Sequence, residues 1–207
     1  YALDSKYFAE FNFGFNGSER FAKSERFGFF PSFGVGWYVS NEPFMQQYED
    51  VITKLKLKGT YGLVGNDQIG SAEDRFFYIS QVNLNDGGMG SMFGEEFSNY
   101  INGVSIDRYA NDQITWEKAT MTNIGFELGL FGKFDIQADY FTEYRSNILM
   151  DRAQTPSTMG LQAAIRANVG EASSKGFEFT IDYKESFRNE LYTVSYTHLR
   201  AHETRNY

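Results

Sequence analysis

From Ile114 to Arg145 the chain reads ITWEKATMTNIGFELGLFGKFDIQADYFTEYR, two runs of alternation joined at Phe131-Gly132-Lys133. Trp116, Ile124, Phe126, Leu128 and Leu130 fall on even positions. Glu117, Asn123, Gly125, Glu127 and Gly129 fall between them. On the return, Phe134, Ile136, Ala138 and Tyr140 share one parity, and Asp135, Gln137, Asp139 and Glu143 the other. A period of two puts each set on one side of a β-sheet. Each run is about 15 residues, where strands of soluble proteins usually have ~5–6. A sheet this long, apolar on one side and charged on the other, predicts the lipid-facing wall of a barrel.

The same pattern recurs along the chain. Strands are predicted at 5–16, 26–39, 51–64, 174–184 and 190–196, giving seven with the central hairpin. In the second, Phe33, Val35 and Trp37 oppose Ser32, Gly34, Gly36 and Tyr38; in the third, Leu55, Leu57 and Tyr61 oppose Lys54, Lys56 and Lys58. Pro31 lacks an N–H and belongs at a rim or bulge. Asn41-Glu42-Pro43 reads as the start of a short helical turn. Segments 66–113 and 149–173 read as irregular, the first partly ordered because it carries Phe76, Phe77, Tyr78, Phe93, Phe97, Tyr100 and Tyr109. Long loops (17–25, 66–113, 149–173) alternate with shorter connections (40–50, 131–133, 185–189), as in an up-and-down meander. The fold class expected is all-β: an antiparallel up-and-down meander forming an incomplete arc of a transmembrane outer-membrane β-barrel. Seven strands leave unpaired edges, and Tyr1 reads as the middle of something longer.

Composition narrows the partners. A net charge of −8 argues against nucleic acid, whose phosphates need a basic surface. With no Cys there are no disulfides, thiolate metal sites or Cys nucleophiles. Mean hydropathy is −0.45 and no apolar run reaches the ~20 residues of a membrane helix, but alternation hides barrel strands from such averages.

No catalytic, cofactor-binding or metal-binding residue is assigned. His198 and His202 stand four apart, but Leu199 follows the first where a zinc-protease motif needs Glu. Gly87–Gly90 lacks the Lys-Ser/Thr of a phosphate loop and reads as a flexible loop. Asn83, Asn85 and Asp86 fail the EF-hand spacing and read as a solvated turn. Glu95 and Glu96, and the inward Glu127, Asp135, Asp139, Glu143, Glu178 and Asp182, read as polar lumen wall, partly paired with Arg145, Lys184 and other cations. An arginine is therefore expected to be costly at Phe126 and mild at Glu127. Trp37, Tyr38, Phe131 and Phe134 fit an aromatic girdle at the short-turn side. Phe76, Phe77, Tyr78 and Tyr100 either contact a ligand or lid, or pack their loop on itself.

Four segments, RFGFFPSFGVGWYVSNEPFM (26–45), LKLKGTYGLVGN (55–66), ITWEKATMTNIGFELGLF (114–131) and NVGEASSKGFEFTIDY (168–183), resemble the C-terminal barrel half of SusC/RagA-type TonB-dependent outer-membrane receptors in content, order and spacing. The resemblance implies a Gram-negative outer-membrane importer of glycan oligomers or peptides. Its implied partners are a SusD-like surface lipoprotein, membrane lipid and TonB. TonB would be reached through an N-terminal region, with a plug, expected before Tyr1. No cofactor is implied. The family's 22-stranded barrel encloses a plugged lumen, which seven strands cannot close.

From about residue 194 the chain departs from that pattern, and VSYTHLRAHETRNY resembles a translated sequencing adapter. The division expected is 1–193 as receptor barrel and 194–207 as a non-native tail. The competing reading is a soluble β-sandwich carbohydrate-binding or adhesion module, which predicts short strands at 8–12-residue spacing. An enzyme has no supporting constellation.

Overall fold

The computed structural model describes residues 1–70, 75–153, 155–187 and 190–206. It contains ten strands: β1 (Ala2–Leu3), β2 (Tyr7–Gly17), β3 (Phe27–Tyr38), β4 (Ile52–Asn66), β5 (Gln81–Phe93), β6 (Asn99–Arg108), β7 (Glu117–Leu130), β8 (Phe134–Asp151), β9 (Arg166–Phe187) and β10 (Glu190–Asn206). Eight form one sheet in the order β1-β2-β3-β4-β7-β8-β9-β10, antiparallel throughout. Among the described residues β5 and β6 pair only with each other. The seven long strands of the large sheet are the seven that alternation predicts. Among the described residues no second sheet packs on its face, so it is an open single-layer wall and not a sandwich.

Turn chemistry fixes one end of the wall. Phe131 and Gly132 both take positive φ (54° and 66°), and the Lys133 N–H donates to the Leu130 carbonyl at 3.0 Å. Two positive-φ residues suit the right-handed twist of a hairpin. Asp4 and Ser5 repeat this (φ 50° and 54°), closed by the Lys6 N–H on the Leu3 carbonyl at 2.9 Å. That second turn, and the stub β1 before it, escape sequence reading because no glycine marks them. At the same end, two 3-10 turns, Val39–Asn41 and Pro43–Tyr48, link β3 to β4. Residues 188–189, within the expected turn 185–189, lie outside the described residues.

At the other end the segments expected to be irregular prove more ordered. Segment 66–113 contains the β5–β6 hairpin. β8 and β9 continue their ladder to Asp151↔Arg166, so the connection expected at 149–173 shrinks to 152–165. Pro31 stands one residue beyond the last β3–β4 pair, Ser32↔Gly62, where its missing N–H interrupts no β4 ladder. β10 runs through the expected tail, pairing with β9 as far as Asn206↔Glu171. The open edge of β9 supplies backbone partners whether or not the partner's side chains alternate.

Side chains sort by medium. Phe11 and Phe13 are 62% and 64% exposed, and Phe15, Phe27, Phe29 and Phe33 are exposed beside them. So large a contiguous apolar face marks a membrane or partner surface. The buried cluster lies at the long-loop end: Phe21, Phe30, Ile69, Phe77, Ile114 and Trp116, with Leu63 and Leu149 against it. Phe21 is 0% exposed. Trp116 packs on Phe21 and Phe30 at ring-centroid distances of 5.5 and 5.2 Å.

Candidate functional site

The inward face carries the charge. Lys54, Lys56 and Lys58 project from alternate positions of β4 beside Glu127 of β7, with N–O distances of 2.5, 3.7 and 3.9 Å. Lys58 also reaches Asp139 of β8 at 3.0 Å. Three ammonium groups and two carboxylates thus form one band across three strands. Lys184 pairs with Asp135 at 3.0 Å. Arg145 meets Glu143 at 2.6 Å and Glu117 at 3.9 Å. Asp182 accepts from the Ser195 hydroxyl. Glu178 stands between Asp139 and Leu199 in register. Sequence parity places these carboxylates inward but does not show that Glu127 meets three lysines. That follows from β4 pairing with β7 past an intervening hairpin.

The short-turn rim is held by Glu42, 8% exposed. Its carboxylate accepts from the Tyr7 hydroxyl at 2.6 Å, the Trp37 indole N–H at 3.1 Å and the Lys6 ammonium at 3.1 Å. These bonds, the Tyr7 bond first, hold its carboxyl below the usual glutamate range. Trp37 stacks on Tyr7 on the apolar face, with its polar tip at the linker as a girdle residue has. Tyr38 leaves the expected girdle: it turns inward, where the Lys56 ammonium lies 5.2 Å from its ring centroid. Consecutive strand residues face opposite sides, so Trp37 and Tyr38 cannot share a belt. Phe134 packs on Tyr183 at 4.8 Å, and Phe131 is exposed in the turn.

At the long-loop rim the aromatics divide. Phe77 is buried: its N–H donates to the Arg20 carbonyl, its carbonyl accepts from Asn111, and the Arg108 guanidinium covers its ring at 5.7 Å. It packs the loop. Phe76 sits edge-on to Tyr78 at 6.2 Å, and Tyr100 donates to the Gly87 carbonyl. Gly87–Gly90 is strand and not flexible loop, within a stretch of β5 where the β6 register shifts between Asp86 and Ser91. Asn83, Asn85 and Asp86 likewise fall within β5 and not in the expected turn, although Asn83 and Asp86 accept from backbone N–H groups two residues on, at 3.0 and 2.8 Å. Glu95 and Glu96 lie exposed between β5 and β6. His198 and His202 fall on the extended β10 and not on a helix, so their four-residue separation spans about 13 Å of backbone. Among the described residues no cluster of three or more His, Asp or Glu side chains could hold a metal.

A long antiparallel sheet with an apolar outer face and a paired-charge inner face defines a transmembrane β-barrel wall. A family model described as "TonB dependent receptor-like, beta-barrel" matches residues 1–207. The chain belongs to that family, one of TonB-dependent outer-membrane receptors. It is 29% identical to TonB-dependent receptor SusC of Bacteroides thetaiotaomicron, over 96% of this chain and 19% of that protein. It is 29% identical to TonB-dependent receptor P3 of Formosa agariphila, over 94% of this chain and 18% of the relative. The RagAB peptide transporter shares the fold, with a TM-score of 0.72 at 22% identity over 98% of this chain and 21% of that one. The RagAB peptide importer in its open-open state gives 0.74 at 21% identity, covering 98% and 21% of the two chains. The chain spans about a fifth of the length of these relatives.

Proposed function

We propose that this chain forms part of the wall of a TonB-driven importer in a Gram-negative outer membrane. The importer takes up glycan oligomers or peptides, with a SusD-like surface lipoprotein as its lid. The observation that carries the reading is the wall itself: eight antiparallel strands in one layer, apolar outward and charged inward. Among the described residues no constellation for catalysis accompanies it, and the inward ion pairs line a polar passage. On this reading residues 194–207 remain a non-native extension: β10 sets His198 and Arg200 opposite Phe179 and Phe177 of the apolar parity.

The test uses the full-length receptor in its native host. It should require detergent for extraction from the outer membrane and co-purify with a lipoprotein. Its deletion should abolish growth on one class of oligomer, glycan or peptide. Recovery from the soluble fraction would overturn the membrane reading, and unchanged growth on both classes would overturn the importer.

A further inference from the structure

The outward face of the wall is not uniformly filled. Cross-strand register aligns side chains in rows. One row runs Tyr7↔Trp37↔Leu57↔Phe126 and another Phe11↔Phe33↔Tyr61. The row between them is Ala9↔Val35↔Gly59↔Ile124. The short side chains of Ala9, Val35 and Gly59 leave a groove of about 650 Å³, closed at its two ends by Tyr1 and Leu3 and by Ile124, and walled on the short-turn side by Trp37 and Leu57. At ~3.4 Å per residue and ~45° of tilt, Gly59 sits about 17 Å above the short-turn end of β4, within the apolar band. A side chain at Gly59 would fit: its Cβ would meet only Val35 Cγ2 at 3.7 Å and the Asn123 carbonyl at 3.9 Å. Packing within the wall therefore does not require the gap.

We infer that this groove is a lipid site, taking one acyl chain of an inner-leaflet phospholipid. The groove is continuous with the membrane-facing wall, since every row around it belongs to that face. The occupant must be apolar, because a buried polar group would find no partner on these walls. The side of entry follows from Trp37. Its ring borders the groove while its N–H is bound to Glu42 of the short-turn linker, 3.1 Å away, which places the opening at the inner-leaflet headgroup level. An ordered chain seated here fills a void that mobile annular lipid would fill only intermittently. The inference rests on the membrane-facing assignment of this face.

The experiment reconstitutes the full-length receptor in nanodiscs of phosphatidylethanolamine and phosphatidylglycerol with a trace of phospholipid bearing a mid-chain diazirine. Cross-links are mapped by mass spectrometry after illumination. They should concentrate on peptides holding Val35, Leu57 and Ile124, and fall at least fivefold in Gly59→Leu, whose side chain occupies the groove. Cross-links at Phe11 and Phe13 should not change. Should Gly59→Leu fail to assemble, Val35→Phe fills the groove from the neighbouring strand. Even labelling of the face, unaltered by either variant, would overturn the site and leave the membrane assignment intact. Absence of cross-links from the whole face would overturn both.

Discussion

The tip of the Phe30 ring lies against Gly65, so that a Cβ on Gly65 would overlap the ring. Gly28 makes the same close approach from β3 itself. Trp116 packs on the ring edge-to-face and is itself packed on Phe21 in the same buried cluster, which confines it. This knot joins β3, the end of β4 and the start of β7 where the β3–β4 ladder has already ended. Gly65→Ala should therefore cost about 1–3 kcal/mol through overpacking. Gly34→Ala, whose Cβ would meet Thr60 Cγ2 at an ordinary 3.6 Å, should stay within ~0.5 kcal/mol. Urea unfolding of the receptor in micelles measures both, and equal midpoints would show that the knot does not hold the wall.

The two faces make a second prediction, and here structure changes the expectation. Phe126→Arg puts a charge on the lipid side and should cost about 2–4 kcal/mol of assembly free energy. Alternation alone expects Glu127→Arg to be mild. The structure places Glu127 among three lysines, so a cation there loses three attractions and gains three repulsions, costing on the order of 2 kcal/mol. The mild inward control is Gln137→Arg, exposed and next to Glu127 in register. Heat-modifiability of the three variants ranks them. Parity of Phe126 and Gln137 would refute the face assignment.

The long strands were legible in the sequence because the medium imposes their pattern: lipid on one side and water on the other write a period of two. The β5–β6 hairpin was not, because its register shifts between Asn83 and Asp86, and again before Ser91, and each shift scrambles parity around Gly87–Gly90. The first residues of β9 were missed for a related reason. Ala167, Asn168, Gly170 and Ala172 are small or polar and show no alternation, although β8 pairs with all four. The inward carboxylates were readable one by one. Their partners were not, because Lys54 and Glu127 meet only once the β4–β7 pairing is known.

Asn168 gives a third prediction. Its Oδ1 accepts from the Thr115 N–H at 3.0 Å, while its Nδ2 donates to the carbonyls of Thr115 at 3.0 Å and Asn147 at 2.7 Å. Asn147 itself takes a positive φ of 59° where the β8–β9 register shifts. One side chain therefore pins a bulge to the approach of β7. Asn168→Ala removes three bonds at ~1 kcal/mol each and should cost about 2–3 kcal/mol. Asn168→Asp keeps the acceptor but sets a carboxylate oxygen against the carbonyls of Thr115 and Asn147, and should cost at least as much as alanine. Thermal melts of the purified receptor check the order, and an alanine variant as stable as the parent would show that solvent replaces these bonds.

The Glu42 clamp makes the short-turn rim sensitive to acid. Its carboxyl is held below its ordinary value of 4.5 by the Tyr7 hydroxyl, then the Trp37 indole, then Lys6. A carboxyl whose folded pKa is depressed stabilises the fold fully above its unfolded pKa and loses that contribution as pH falls through the folded value. Hydrogen exchange in the linker 39–51, corrected for intrinsic pH dependence, should be slow and flat above about pH 5 and accelerate below 4.5. Glu42→Gln keeps the shape but not the charge, so its linker should exchange faster near neutral pH and show little change on acidification. A wild-type linker with no acid transition, or a Gln variant that retains one, would place the sensitivity elsewhere on the rim, with the Lys133–Glu185 pair at 2.7 Å the next group to test.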